Sequence, residues 1–208
     1  MAYSTIESEL AVIVLAAGSS SRLGQPKQLV EVQGNKLIAR QCELALTLTN
    51  NVLVVVGCYA EKVSDAVNHL PVNVVNNPNW QQGMGSSIAA GINALPSTVK
   101  GVMLLLVDQW QLTAADLALT KQTWQQASNS IICARGKSGA FSPPIIFPRD
   151  YFKQLKHIPP DSGAKAIVNQ HGDNVISLSL EAAFADLDTP EQLQHCLRYF
   201  QTMNSDLA

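Results

Sequence analysis

The 208-residue sequence has little charge and no marked excess of either sign: 14% of its residues are charged and the net charge is −2. A polyanionic main partner, whether nucleic acid or an anionic membrane, calls for a basic surface, so neither is expected. Cysteine is sparse. Cys42, Cys58, Cys133 and Cys196 lie far apart with no C-x-x-C pair, which indicates neither a zinc site nor a dithiol redox pair and makes them reduced packing residues. No apolar run approaches the ~20 residues of a membrane span. The segment up to Leu10 carries Glu7 and Glu9 and no basic start, unlike a secretion signal, so the cytoplasm is the expected location. No Ser-His-Asp or Cys-His set suggests a nucleophile. His69, His157, His171 and His195 fall outside the loops singled out below and are expected at the surface.

What the chain has is apolar content, 47% of its residues, enough at this length for a single α/β domain over 1–208 with a core across about residues 10–200. The organising stretch is Val12 to Lys27. Its first half is β-branched and fully apolar, the mark of a strand buried on both faces, and it stops at Ala16, Ala17 and Gly18. Small side chains there and at Ser19, Ser20 and Ser21 let main-chain N–H groups approach an anion, and Gly18 and Gly24 can take the positive φ of a wrapped loop. Arg22 and Lys27 add two cations suited to a polyphosphate. An ordinary strand-to-loop turn with surface cations is the competing reading, since the loop has neither the Gly-Lys-Ser/Thr spacing nor Gly-x-Gly-x-x-Gly.

Further along, apolar spacing predicts helices over Leu37–Leu48, Ala60–Leu70, Ile88–Leu95, Thr113–Ala127, Arg149–Leu155, Gly163–Asn169 and Glu191–Tyr199, with a frayed tail after Gln201. Strands are predicted at Asn51–Gly57, Val72–Val75, Gly101–Val107, Ser130–Ala134, Ile145–Phe147 and Val175–Leu178. Gly34-Asn35 marks a turn, Arg135 to Gly139 a cationic loop, and Ser142-Pro143-Pro144 a rigid extended entry to its strand. The alternation implies a mostly parallel, three-layer α/β/α sheet of Rossmann-like type, with ligands at the strands' carboxyl ends. Gly83 and Gly85 break structure before Ser86-Ser87, a pair able to cap a helix whose free N–H groups point toward a ligand; a plainly capped helix is the alternative. Asp108, ending the most hydrophobic strand, needs a metal or hydrogen-bond partner unless it caps the turn. Asp161 is placed to cap the helix that follows or to meet substrate, and Lys165 to reach an anionic acceptor or water. Asp186 and Asp188 share one face of an extended segment, and Thr189-Pro190-Glu191 starts a helix.

The string Leu15-Ala-Ala-Gly-x-Ser-x-Arg-x-Gly-x-x-Lys27 resembles the signature loop of nucleotidyltransferases with a glycosyltransferase-A-like fold, above all the molybdenum cofactor cytidylyltransferases. Asn77-Pro78 with Gly83-Met84-x-Ser-Ser87 resembles their second element, Leu106-x-Asp108 their Leu-x-Asp-x-Pro, Asp161-x-Gly-Ala-Lys165 their Gly-Asp-x-Gly-Ala-Arg/Lys, and Asp186-x-Asp188-Thr-Pro-Glu their last. Trp110, Ser142 and Pro160 depart from the pattern, standing where it has proline, glycine and glycine.

The resemblance implies that Arg22 and Lys27 hold the triphosphate, that Leu15, Ala16, Ala17, Gly18, Asn77, Gly83, Ser86 and Ser87 bind the nucleotide, and that Asp108 and Asp188, with Asp186, hold Mg²⁺. Arg22, Lys27 and Asp108 are the catalytic candidates. Ala17, where related guanylyltransferases carry glycine, points to CTP. The implied acceptor is Mo-molybdopterin, and the implied onward partner a molybdenum hydroxylase or its insertion chaperone. Two other functions are weighed: cytidylyl or uridylyl transfer to a sugar or polyol phosphate, and a non-catalytic nucleotide-binding or cofactor-delivery module. Arg22, Lys27, Asp108 and Asp188 together speak against the module.

Overall fold

The computed structural model describes residues 9–205. Its centre is β1, Leu10–Leu15, every residue of which is buried. After the loop and a 3-10 turn at Lys27–Leu29, a short hairpin of β2, Glu31–Val32, and β3, Asn35–Lys36, leads into α1, Leu37–Leu46. The chain then runs through β4 Val52–Val56, α2 Ala60–Val67, β5 Asn73–Asn76, α3 Met84–Asn93, β6 Gly101–Leu106 and α4 Ala114–Gln126. It continues through β7 Ile131–Arg135, β8 Phe141–Pro148, α5 Phe152–Lys156, α6 Lys165–Gln170, β9 Val175–Ser179 and α7 Pro190–Ser205.

Seven strands form one sheet in the order β5-β4-β1-β6-β8-β7-β9. β1 pairs in parallel with β4 and β6, whereas β8 runs antiparallel to both β6 and β7. The period of two in a strand sends alternate side chains of β1 to opposite faces. Leu10, Val12 and Val14 join one core with Leu37 and Cys42 of α1, Val63 of α2, Leu117 of α4 and Cys196 of α7. Ala11, Ile13 and Leu15 join the other with Ile88 of α3, Leu155 of α5 and Ile167 of α6. The sheet is therefore mostly parallel and covered on both faces, as the alternation predicts.

Three expectations are corrected by tertiary contacts. α3 begins at Met84, earlier than Ile88, and Gly83, with φ of +121°, precedes it. A Cβ on Gly83 would stand 2.5 Å from the Pro160 carbonyl oxygen and one on Gly85 2.1 Å from that of Pro159, so only glycine lets the helix start dock against this segment. Ser142 to Pro144 are part of β8, not an entry to it. α7 continues to Ser205, past Gln201 where a frayed tail was expected to begin, and residues 206–208 of that expectation lie outside the described residues. Two N-caps occur as read. Thr113 and Asp116 form a reciprocal capping box at α4, and Thr189 Oγ1 accepts from the Gln192 N–H at 3.3 Å at the start of α7. No helix among the described residues is long and apolar enough to cross a membrane.

Candidate active site

β1 lies inside the sheet between the parallel strands β4 and β6, so the loop it delivers lies among the carboxyl ends of its neighbours. That loop is shaped by Gln28 and Ser20. Gln28 is 1% exposed, and its Nε2 donates to the carbonyls of Ala16 at 2.9 Å and Gly18 at 2.8 Å. Ser20 sends its hydroxyl to Gln28 Oε1 and receives the Lys27 N–H at 3.1 Å. Tyr59 donates its hydroxyl to the Ser19 carbonyl from the next loop. Gly24 has the positive φ expected of it, at +75°, but the second such residue in the loop is Ser20, at +54°, rather than Gly18.

The loop presents Lys27 to two carboxylates from distant parts of the chain. Its ammonium donates to Asp108 Oδ2 at 2.7 Å and to Asp188 Oδ1 at 2.5 Å. Asp188 also receives Arg22 Nη2 at 2.7 Å, with the Arg22 side chain 72% exposed. Asp108 follows β6, and Asp188 lies just before α7, where the Gln192 side chain holds its N–H. Burial alone would lower the pKa of Lys27, but Asp108 and Asp188 together outweigh it and hold the ammonium above the ordinary lysine value. Desolvation would raise Asp188, yet Lys27 and Arg22 hold it below the usual carboxylate range. Asp186 goes the other way: desolvation first, then the charges of Asp108 and Asp188, push it up to about 6.

One atom is left over. Asp108 Oδ1 is buried and accepts no hydrogen bond, a costly state for a carboxylate oxygen that a hard cation relieves. Two carboxylates that already share the Lys27 ammonium fit a divalent cation as ligands. Among the described residues no group of three or more His, Cys, Asp or Glu side chains could hold an ion, so Asp186 does not complete a three-carboxylate cage.

A cleft of about 310 Å³ opens beside this junction, lined by Leu15, Ala16, Ala17, Gly18, Lys27, Gly83, Ser87 and Asp108. All eight are residues singled out in the sequence. Neither Arg22 nor Asp188 lines it; Arg22 is tied to the lining residue Lys27 through Asp188. Asn77 and Ser86 do not line it either. Asn77 is buried and its Nδ2 donates to the hydroxyls of Ser86 and Ser87 at 2.9 and 3.0 Å, so this trio braces the cleft wall from behind. Neither serine caps α3; Ser86 donates to the Gly83 and Asn79 carbonyls. The Gly85 N–H at that helix start is taken by the Pro160 carbonyl at 2.8 Å and does not point to a ligand. Asp161 caps nothing, because α6 starts without a side-chain cap; with Lys165 it borders a second, largely apolar pocket that shares Leu15, Met84 and Leu106 with the cleft.

The sequence reading passed over Gln28, Trp80 and Met84 as site residues. Trp80 and Met84 wall the cleft, and an aromatic ring between Asn77-Pro78 and Gly83 was the available signal for Trp80. Gln28 gave no such signal, being a neutral amide. The departures have partners. Trp110 is 3% exposed and packs edge-on against His195 and Tyr199 and tilted against Phe200, and Ser142 Oγ lies 3.3 Å from Gln109 Nε2. Cys42, Cys133 and Cys196 are buried and Cys58 half-buried, all free. His69, His157 and His195 are exposed, while His171 is half-buried against Tyr151.

The chain is similar to known proteins over most of its length. The chain is 28% identical over 199 residues to nicotine blue oxidoreductase of Paenarthrobacter nicotinovorans, covering 89% of this chain and 95% of that one. It is 28% identical over 206 residues to purine catabolism protein PucB of Bacillus subtilis (strain 168), with coverages of 86% and 92%. A shorter match, 26% over 84 residues, links it to molybdenum cofactor cytidylyltransferase of Escherichia coli (strain K12), over 40% of this chain and 44% of that one. The fold is shared with the Rv0371c homologue from Mycobacterium sp. strain JC1, at a TM-score of 0.81 and 24% identity, covering 95% of this chain and 100% of that one. Residues 12–175 match the MobA-like NTP transferase domain, and the chain belongs to that family.

Proposed function

We propose that the protein transfers CMP from CTP to the phosphate of Mo-molybdopterin, releasing pyrophosphate and forming molybdopterin cytosine dinucleotide. The observation that carries the reading is the junction of Lys27 with Asp108 and Asp188, with its unpartnered Asp108 oxygen, at the mouth of the nucleotide cleft. An acceptor phosphate oxygen attacks the α-phosphorus, and the bond to the bridging oxygen of the pyrophosphate breaks. Such a transfer asks for positioning and charge neutralisation rather than a protein nucleophile. Lys27 and Arg22 meet the triphosphate and the departing pyrophosphate, the flexible lysine as a point charge and the arginine as a planar fork. Gly18 and its neighbours offer main-chain N–H groups, and Trp80 and Met84 take the base. Asp108 and Asp188 are the residues that would hold Mg²⁺, which supplies neutralisation of the charge shared by α-phosphate and acceptor.

The choice of CTP rests on Ala17, 6% exposed in the cleft wall, and on the relative named as a cytidylyltransferase. The test is product analysis by mass spectrometry after incubation with CTP, Mg²⁺ and Mo-molybdopterin. The dinucleotide is expected, and its absence alongside a cytidylylated sugar or polyol phosphate in a parallel reaction would overturn the acceptor.

A further inference from the structure

Asp108 and Asp188 belong to segments far apart in sequence, and a flexible lysine cannot by itself fix how far apart their carboxylates stand. Directly after Asp108 lies Gln109, fully buried at 0% exposure. Its Nε2 donates to the Pro143 carbonyl at 2.5 Å and the Ala183 carbonyl at 2.7 Å. Its Oε1 accepts from the Leu106 N–H at 3.3 Å. The amide's two N–H groups are taken by these two carbonyls, with Ser142 Oγ a longer contact at 3.3 Å. Leu106 ends β6, the strand that carries Asp108, and Ala183 sits in the 3-10 turn Glu181–Phe184 from which the chain runs to Asp186 and Asp188. From α1, Gln41 Nε2 adds a bond of 2.9 Å to the Gln109 carbonyl, fixing the main chain of the same turn. Gln109 does not line the cleft.

We infer that Gln109 is a positioning residue that sets the separation of Asp108 and Asp188 and, through it, the affinity of the site for a divalent cation. The inference rests on the metal-dependent reading given above. Groups that orient metal ligands from behind typically carry 10–100-fold in affinity, and here one amide holds both ligand segments at once.

The test is Mn²⁺ binding to the CTP-saturated protein, followed by loss of the free-ion EPR signal beyond that in the same CTP solution without protein, for wild type, Gln109→Met and Gln41→Leu. Gln109→Met keeps side-chain length and removes the ties. It is expected to weaken Mn²⁺ binding by about 10-fold or more, while CTP binding without metal stays within about 2-fold, because the wall at Ala17, Trp80 and Met84 is untouched. A folded Gln109→Met protein of lower melting temperature but unchanged Mn²⁺ affinity would mark a merely structural residue and overturn the inference. If that variant does not fold, Gln41→Leu decides: weakened Mn²⁺ binding supports the inference and unchanged binding overturns it. Wild-type protein that binds no Mn²⁺ with CTP present overturns the metal-dependent reading together with this inference.

Discussion

Asp186 and Asp188 stand two residues apart and titrate in opposite directions. Desolvation and the like charges of Asp108 and Asp188 raise Asp186 to about 6, so between about pH 4 and pH 6 the folded chain binds a proton there that the unfolded chain has lost. Stability from this group is present below its unfolded pKa and lost as pH rises through about 6. Asp188, held low by Lys27 and Arg22 despite its desolvation, stabilises above its unfolded pKa and ceases to as pH falls through its folded value. Asp186→Asn is therefore expected to gain on wild type as pH rises from about 4.5 to about 7, in urea denaturation with EDTA present; parallel profiles would show that Asp186 is not desolvated. Lys27→Met leaves two carboxylates without their shared cation, and turnover is expected to fall by about 10²-fold or more, the usual cost of a preorganised charge; near-normal turnover would remove Lys27 from the mechanism. The charged members of this site were legible in the sequence because a cation on a small-residue loop and an aspartate ending a buried strand are unusual. Gln28, Gln41 and Gln109 were not, since a neutral amide acquires its role only from the carbonyls that folding brings to it.

α7 packs against the turn that follows Asp108 through Trp110. Trp110 fills the angle between the turn after Asp108 and the rings of His195, Tyr199 and Phe200, so the family's proline position is used here as an anchor for the last helix. Trp110→Ala is expected to cost about 3–5 kcal/mol in unfolding free energy, the range for emptying a buried tryptophan site, and to raise KM for the acceptor substrate by loosening the Asp188 segment; a loss below about 1 kcal/mol by urea denaturation would mean α7 is held elsewhere. At this scale the strands and helices follow from period and composition. What did not follow is set by contacts between distant segments. β8 reads like any other apolar strand, and only its pairing with β6 and β7 makes it antiparallel. The start of α3 depends on Pro159 and Pro160 packing on Gly83 and Gly85, while the β2–β3 hairpin has two residues a side and no periodicity to display.

Across the molecule, a sheet covered on both faces places the loops after β1, β5 and β6 that the sequence singles out at the carboxyl ends of its strands, where parallel α/β sheets bind ligands. The architecture was legible because the buried strands are unbroken apolar runs separated by helical spacing. The reaction is less so, since one fold carries many chemistries and the relatives' names span an oxidoreductase and a cytidylyltransferase. Nucleotide choice is expected to turn on the cleft wall: Ala17→Gly should shift the ratio of kcat/KM for CTP over GTP toward GTP, by about 10-fold for the loss of one methyl group from a fitted pocket, and an unmoved ratio would take Ala17 out of base selection. The most direct measurement is pyrophosphate release by the purified protein with Mg²⁺ and each of the four ribonucleoside triphosphates, with and without Mo-molybdopterin. Release that requires the acceptor and occurs with CTP alone is the predicted result; no release from any triphosphate in the presence of the acceptor would contradict the account.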